Sequence, residues 1–239
     1  MKILGLTGSI GMGKSTAARL LRRMGLPVHD ADATVHRLLG RGGAAVAAVG
    51  AAFPGSVADG AVDRRELGRQ VFGDPAALRR LEAILHPLVR RAETAFLRRQ
   101  ARRRARLVVL DIPLLLETGG ERRCDAVAVV TAPAFLQAQR VLRRPGMTPR
   151  RLAQVRAQQM PDAEKRRRAD FVIPTGTGMS PALRLLARAV TVLLAQPGRG
   201  RYPSPPRLGP SCAKSSSTRK PPASIPSPAT ASSKSVASS

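Results

Sequence analysis

The chain has 239 residues, 41 Lys and Arg against 15 Asp and Glu, and a formal net charge of +26, which leaves room for one α/β domain with a tail and points to a polyanionic partner, either a multiphosphate small molecule or a nucleic acid. Its two cysteines, Cys124 and Cys212, lie far apart, which argues against a disulfide framework or a zinc site and suggests a reducing compartment. The longest apolar stretches, around residues 107 to 116 and 183 to 195, are too short or too broken by arginine to span a bilayer, and with no Trp and one Tyr a stacking platform for single strands is disfavoured.

In chain order, the apolar run at residues 2 to 6 predicts a strand, and it leads straight into Gly8-Ser9-Ile10-Gly11-Met12-Gly13-Lys14-Ser15. No cleavage-like site stands before that segment, so a soluble, cytoplasmic protein is expected. The segment is a complete G-x-x-x-x-G-K-[ST] loop. Accident would place its fixed positions in a chain this long with a probability of about 0.01. Backbone N–H groups of such a turn cradle phosphate oxygens, Lys14 reaches the β- and γ-phosphates, and the Ser15 hydroxyl is placed to hold Mg²⁺. Gly8, Gly11, Met12, Gly13, Lys14, Ser15 and Thr16 are therefore the expected ATP-binding residues. Ala17, Leu20, Leu21 and Met24 then recur at helical spacing, and Gly25 and Pro27 supply a stop.

Further strands are expected at residues 26 to 29, 107 to 111, 125 to 131 and 170 to 173. Alternation of strand and helix predicts an α/β fold with a five-stranded parallel sheet covered on both faces. Residues 33 to about 105 are too long for a simple connection. They carry several helical patterns broken at Pro87, and we expect a helical insertion that walls in a second substrate. The run from Arg98 to Arg106 reads more readily as a solvated face than as a nucleic-acid contact. Residues 133 to 142 predict a helix, Arg143-Arg144-Pro145-Gly146 a break, and Thr148-Pro149 the cap and first position of the next helix. An arginine-bearing loop at about 140 to 150 has the character of a lid. The last helix should present Leu183, Leu186, Val190 and Leu194 to the sheet. Residues 197 to 239 hold seven Arg and Lys and no acid, leaving +19 for the rest, and their Pro, Ser and Ala content predicts a disordered tail.

Two acidic positions carry candidate chemistry. Asp32, in Asp30-Ala31-Asp32, follows the second strand at the edge where ligands of open α/β sheets collect, so it would accept a proton or help place Mg²⁺; equally, it would cap the following helix. Asp111 closes four apolar residues, the position from which other phosphate-loop proteins bind Mg²⁺ directly or through water.

The order of these segments resembles the dephospho-CoA kinase family from residue 1 to about 190. The resemblance rests on the phosphate loop, Val28-His29-Asp30-Ala31-Asp32, Leu85-His86-Pro87-Leu88, Val109-Leu110-Asp111-Ile112-Pro113-Leu114-Leu115, Gln137-Ala138-Gln139-Arg140 and Gln159-Met160-Pro161. It implies a P-loop kinase fold with a helical CoA-binding insertion and a lid, and transfer of the ATP γ-phosphoryl group to the ribose 3′-hydroxyl of dephospho-CoA. ATP, dephospho-CoA and Mg²⁺ are the implied small molecules. Lys14, Asp32 and Arg140 match the family's catalytic positions, and Ser15 and Asp111 are the expected metal ligands. His86 reads as a structural hydrogen bonder. Ile173-Pro174-Thr175-Gly176 departs from the usual turn near the adenine, and Leu116 replaces a common phenylalanine expected beside the acceptor pocket. Another nucleoside or nucleotide kinase of this fold, or a nucleic-acid-binding ATPase or scaffold, are the rival readings.

Overall fold

Strand β1 (Lys2–Thr7) occupies the centre of a five-stranded, wholly parallel sheet in the computed structural model, which describes residues 1–196. The expected tail at residues 197 to 239 lies outside the described residues. In chain order there follow α1 (Lys14–Arg23), β2 (Val28–Asp30), α2 (Ala31–Leu39), α3 (Val46–Ala52), β3 (Val57–Ala58), β4 (Ala61–Val62), α4 (Arg64–Val71) and α5 (Pro75–Arg102). The second half comprises β5 (Leu107–Asp111), a 3₁₀ turn (Gly120–Arg123), β6 (Ala126–Thr131), α6 (Ala134–Leu142), α7 (Pro149–Ala157), α8 (Asp162–Arg167), β7 (Phe171–Pro174) and α9 (Met179–Ala195). Sheet order is β2-β5-β1-β6-β7. All five expected sheet strands are present within two residues of their expected ends.

Period-two alternation in β1 sends Leu4 and Leu6 to one face, where they join Ala17, Leu20 and Leu21 of α1 and Leu186 and Leu193 of α9. Ile3 points the other way and meets Val108, Leu110, Phe96 and Leu97. Leu4, Leu6 and Leu21 are fully buried, so truncating any one to alanine costs about 2–5 kcal/mol. On α9 the burial differs from the expected face: Ala182, Leu186, Ala189, Val190 and Leu193 are buried, while Leu183 faces solvent. Small Ala182 and Ala189 let the helix approach the sheet closely, and that turns the stripe by one position.

Helices α2 to α5 and the β3–β4 hairpin pack around a small core of their own built on Leu39, Val49, Phe53, Val62 and Leu67. The hairpin was not foreseen. Asp59 (φ 50°) and Gly60 (φ 72°) both take left-handed conformations at its tip, as a two-residue hairpin turn demands. Helix α5 runs unbroken for 28 residues, about 42 Å, and carries Phe96 and Leu97 from the insertion to the sheet. Pro87 therefore does not break it, contrary to expectation. Pro87 and Ala83, whose carbonyl loses its helical partner, are both exposed, so that side of the helix is open to solvent.

Candidate active site

Three constraints shape the loop between β1 and α1. Gly11 (φ 74°) and Gly13 (φ 90°) hold left-handed conformations that direct successive N–H groups into one concavity, and a Cβ on Gly8 would stand 2.7 Å from the Val130 carbonyl oxygen. Met12 turns its side chain inward, where its sulfur accepts the Ala132 N–H at 3.1 Å, so only its backbone faces the loop's mouth. The concavity opens into a cavity of about 600 Å³ lined by the loop, Asp32, Pro113, Arg140, Thr175 and Met179 among others. It stands at the carboxyl end of the sheet, where the chain leaves β1 for α1 while β5 separates β1 from β2.

Strand pairing brings the acids together. Leu6 of β1 and Asp30 of β2 are both in register with Asp111 of β5, which sets the Asp111 carboxylate beside the root of the loop. Lys14 Nζ donates to Asp111 Oδ1 at 2.7 Å and lies 4.0 Å from Asp32 Oδ2. Burial pushes the Asp111 carboxyl above the usual carboxylate range, against the pull of the Lys14 ammonium. Asp32 differs: its side chain is 67% exposed. It sits in the first turn of α2 and does not cap it, because the Asp30 side chain accepts the Ala33 N–H at 2.9 Å. The capping alternative for Asp32 is thereby removed, and its carboxylate is left facing the cavity.

Arg140 belongs to the same cavity. Its guanidinium donates to Thr175 Oγ1 at 3.1 Å and to the Thr175 carbonyl oxygen at 2.9 Å. Thr175 Oγ1 in turn donates to the Met12 carbonyl at 2.7 Å. Thr175, in the segment that departs from the family pattern, is thus a brace between the loop, β7 and Arg140. Sequence reasoning also missed the support behind Ile10. Its N–H donates to Gln159 Oε1 at 3.1 Å, its carbonyl accepts from Gln137 Nε2 at 2.9 Å, and Arg156 fixes Gln137 by donating to Oε1 at 2.6 Å. Farther out, fully buried Lys165 pairs with Glu117 at 2.7 Å, tying α8 to the segment after β5. These partners come from separate elements well apart in the sequence, and no local pattern announces them.

Two other expectations change. Leu116 is buried with Leu115, Val127 and Val129, while half-buried Pro113 lines the loop cavity and Leu114 is exposed. His86 is exposed on α5 and makes no side-chain hydrogen bond among the described residues. Thr148 does cap α7, accepting the Arg151 N–H at 3.2 Å, and the arginines from 98 to 106 are exposed.

The oxygen donors suit a hard cation. The Ser15 hydroxyl opens α1 at the loop and Asp111 is an acid close by; no group of three or more His, Cys, Asp or Glu that could hold a metal occurs among the described residues. Such a sparse set fits Mg²⁺, which keeps waters and takes one or two protein ligands together with substrate phosphates. A preorganised anion nest with a lysine between two acids is suited to phosphoryl transfer, in which positioning and charge stabilisation do most of the work.

Known proteins agree with this chemistry. The sequence profile of the dephospho-CoA kinase family matches residues 2–180. A dephospho-CoA kinase of Paramagnetospirillum magneticum is 76% identical over 166 residues, covering 70% of this chain and 78% of that protein, and one of Rhodospirillum rubrum is 65% identical over 192 residues, covering 80% and 90%. Among solved structures, TT1252 from Thermus thermophilus superposes with a TM-score of 0.71 at 40% identity, covering 82% of this chain and 98% of its own. The dephospho-CoA kinase from Campylobacter jejuni shares the fold at a TM-score of 0.55 and 21% identity, covering 80% and 97%. With the profile spanning most of the chain, this protein belongs to the dephospho-CoA kinase family.

Proposed function

We propose that the chain transfers the γ-phosphoryl group of ATP to the 3′-hydroxyl of the dephospho-CoA ribose, giving coenzyme A and ADP. The observation that carries this reading is the placement of Lys14 between Asp111 and the exposed Asp32 at the mouth of a glycine-shaped anion nest. ATP phosphates enter the nest and draw the Lys14 ammonium toward the β- and γ-oxygens. Mg²⁺, held through Ser15 and Asp111 with the phosphates, would neutralise charge on the transferring group when bound. A ribose hydroxyl has a pKa far above 7, so Asp32 helps by accepting its proton late, as the new P–O bond forms. Arg140 supplies a second positive charge, and Thr175 fixes its direction.

Water competes with the ribose as acceptor. Closure of the turn between α6 and α7 over the loop, bringing Arg144 inward beside Arg140, would exclude it. Helices α2 to α5 receive the acceptor, and the exposed Met179 offers an apolar surface to the adenine of ATP. We assign the protein to the cytoplasm, where both substrates occur; no helix among the described residues is long and apolar enough to cross a membrane. A panel of acceptors tests the function. ADP should form from ATP and Mg²⁺ with dephospho-CoA and not with nucleoside monophosphates, and a preference for a nucleoside monophosphate would refute the reading.

A further inference from the structure

A second, larger cavity of about 890 Å³ adjoins the first. Its walls are α4 and the N-terminal half of α7, and it is lined by Arg64, Arg65, Arg69, Arg150 and Arg151 together with Phe72. Two links join it to the loop cavity. Helix α7 lines both, through Gln154 on one side and Val155 on the other. On the opposite wall, Arg64 meets His36 Nε2 at 3.1 Å, and His36 lies one helical turn beyond Asp32 on the same face of α2, about 6 Å along the axis.

The arginines are under-compensated. Glu66 pairs with Arg69, and Asp63 is committed to the Arg65 and Glu66 N–H groups as the cap of α4. Arg64, Arg65, Arg150 and Arg151 have no carboxylate within ion-pair distance among the described residues. All four occupy first turns of helices, where the helix dipole disfavours cations. Local rules broken together around one cavity mark a place built for a ligand. The field there suits a compact polyanion, and arginine's planar fork suits paired phosphate oxygens.

We infer that this cavity holds the diphosphate of the acceptor, with Arg65 and Arg150 closing on it from opposite walls. The inference rests on the proposed acceptor chemistry and adds to it the groups that recognise the acceptor. One turn of α2 matches the span of a ribose from its 3′-oxygen to its 5′-phosphate. An acceptor with that oxygen at Asp32 therefore carries its diphosphate past His36 to Arg64 and Arg65. Its remaining arm then runs along α4 past Gly68, where the wall is open, toward the 72% exposed ring of Phe72.

Calorimetric titration of the full chain with dephospho-CoA and, separately, with ATP tests this. The double variant Arg65→Ala/Arg150→Ala should bind dephospho-CoA at least about tenfold more weakly, with ATP affinity within about twofold of wild type. Both side chains are exposed, and unchanged ATP binding reports an intact fold. The charge-preserving variant Arg65→Lys/Arg150→Lys should recover part of the loss, short of wild type because lysine lacks the planar fork. Unchanged dephospho-CoA affinity in the alanine variant, or equal losses for both ligands, overturns the inference. A wild-type protein that binds dephospho-CoA tightly yet transfers no phosphoryl group to it refutes the proposed function and leaves this site standing.

Discussion

Lys14 and Arg65 stand in adjoining cavities in opposite surroundings. Lys14 is only 14% exposed and is already matched with acids, at 2.7 Å from Asp111 and 4.0 Å from Asp32, on a loop whose glycines and buried braces leave it little freedom. Arg65 lies on an exposed helical turn with no ion-pair partner among the described residues. A buried cation held between two acids beside the nest has only a short way to move to the phosphate oxygens, which suits the reacting centre. An exposed, unpaired one contributes when a ligand arrives, which suits holding. The difference fits the proposal that chemistry belongs to the first cavity and capture of the acceptor to the second.

Lys14→Met should produce the largest effect, cutting turnover at least about 100-fold. It also leaves Asp111 without its cation, so that buried carboxyl protonates more readily and more Mg²⁺ is needed for activity; stopped assays of ADP formation across Mg²⁺ concentrations read both. Asp32→Asn should lower kcat by about 100-fold or more with an unchanged Tm, since the side chain is 67% exposed and caps nothing. Near-normal kcat in that variant would remove Asp32 from the chemistry and erase the contrast.

Smaller effects sharpen it. Thr175→Val removes the bonds to the Met12 carbonyl and from Arg140, and should raise KM for ATP several-fold while lowering stability by about 1 kcal/mol; a change in KM for dephospho-CoA alone would put the brace in the wrong cavity. Asp74 caps α5 by accepting from the Ala76 and Ala77 N–H groups, which hold its carboxyl below the ordinary 3.8. Because the folded value is depressed, this contribution is in force above about pH 4 and is lost as pH falls through the lowered value. Asp74→Ala should therefore lower Tm at neutral pH with little effect on either ligand, and the gap to wild type should narrow in acid.

Residues that act through their own backbone or near neighbours were legible in the sequence. Gly11, Gly13 and Lys14 announce the nest, and the apolar runs of β5 and β6 announce strands covered on both sides. Asp30 and Asp32 were harder: both carry capping chemistry at a strand-to-helix junction, and only the backbone direction at Asp30 decides which one caps and which stays available. Pro87 misled because a proline's cost depends on which way the orphaned carbonyl faces. Asp59-Gly60 is a hairpin signal that was there to be read, hidden by strands only two residues long. Gln137 and Gln159 stand in segments that carry the family resemblance, but what they and Thr175 do left no local trace, since each acts on the loop from more than a hundred residues away. The arginines of the second cavity were visible only as excess charge, because their convergence depends on how α4 faces α7.

The most direct test of the account is a crystal structure of the full chain with a non-hydrolysable ATP analogue and dephospho-CoA. We predict terminal phosphate oxygens in the nest beside Lys14, with the ribose 3′-oxygen in hydrogen-bond reach of the Asp32 carboxylate and facing the γ-phosphorus. A 3′-oxygen held away from Asp32, or a nucleotide bound with its phosphates outside the nest, would contradict it.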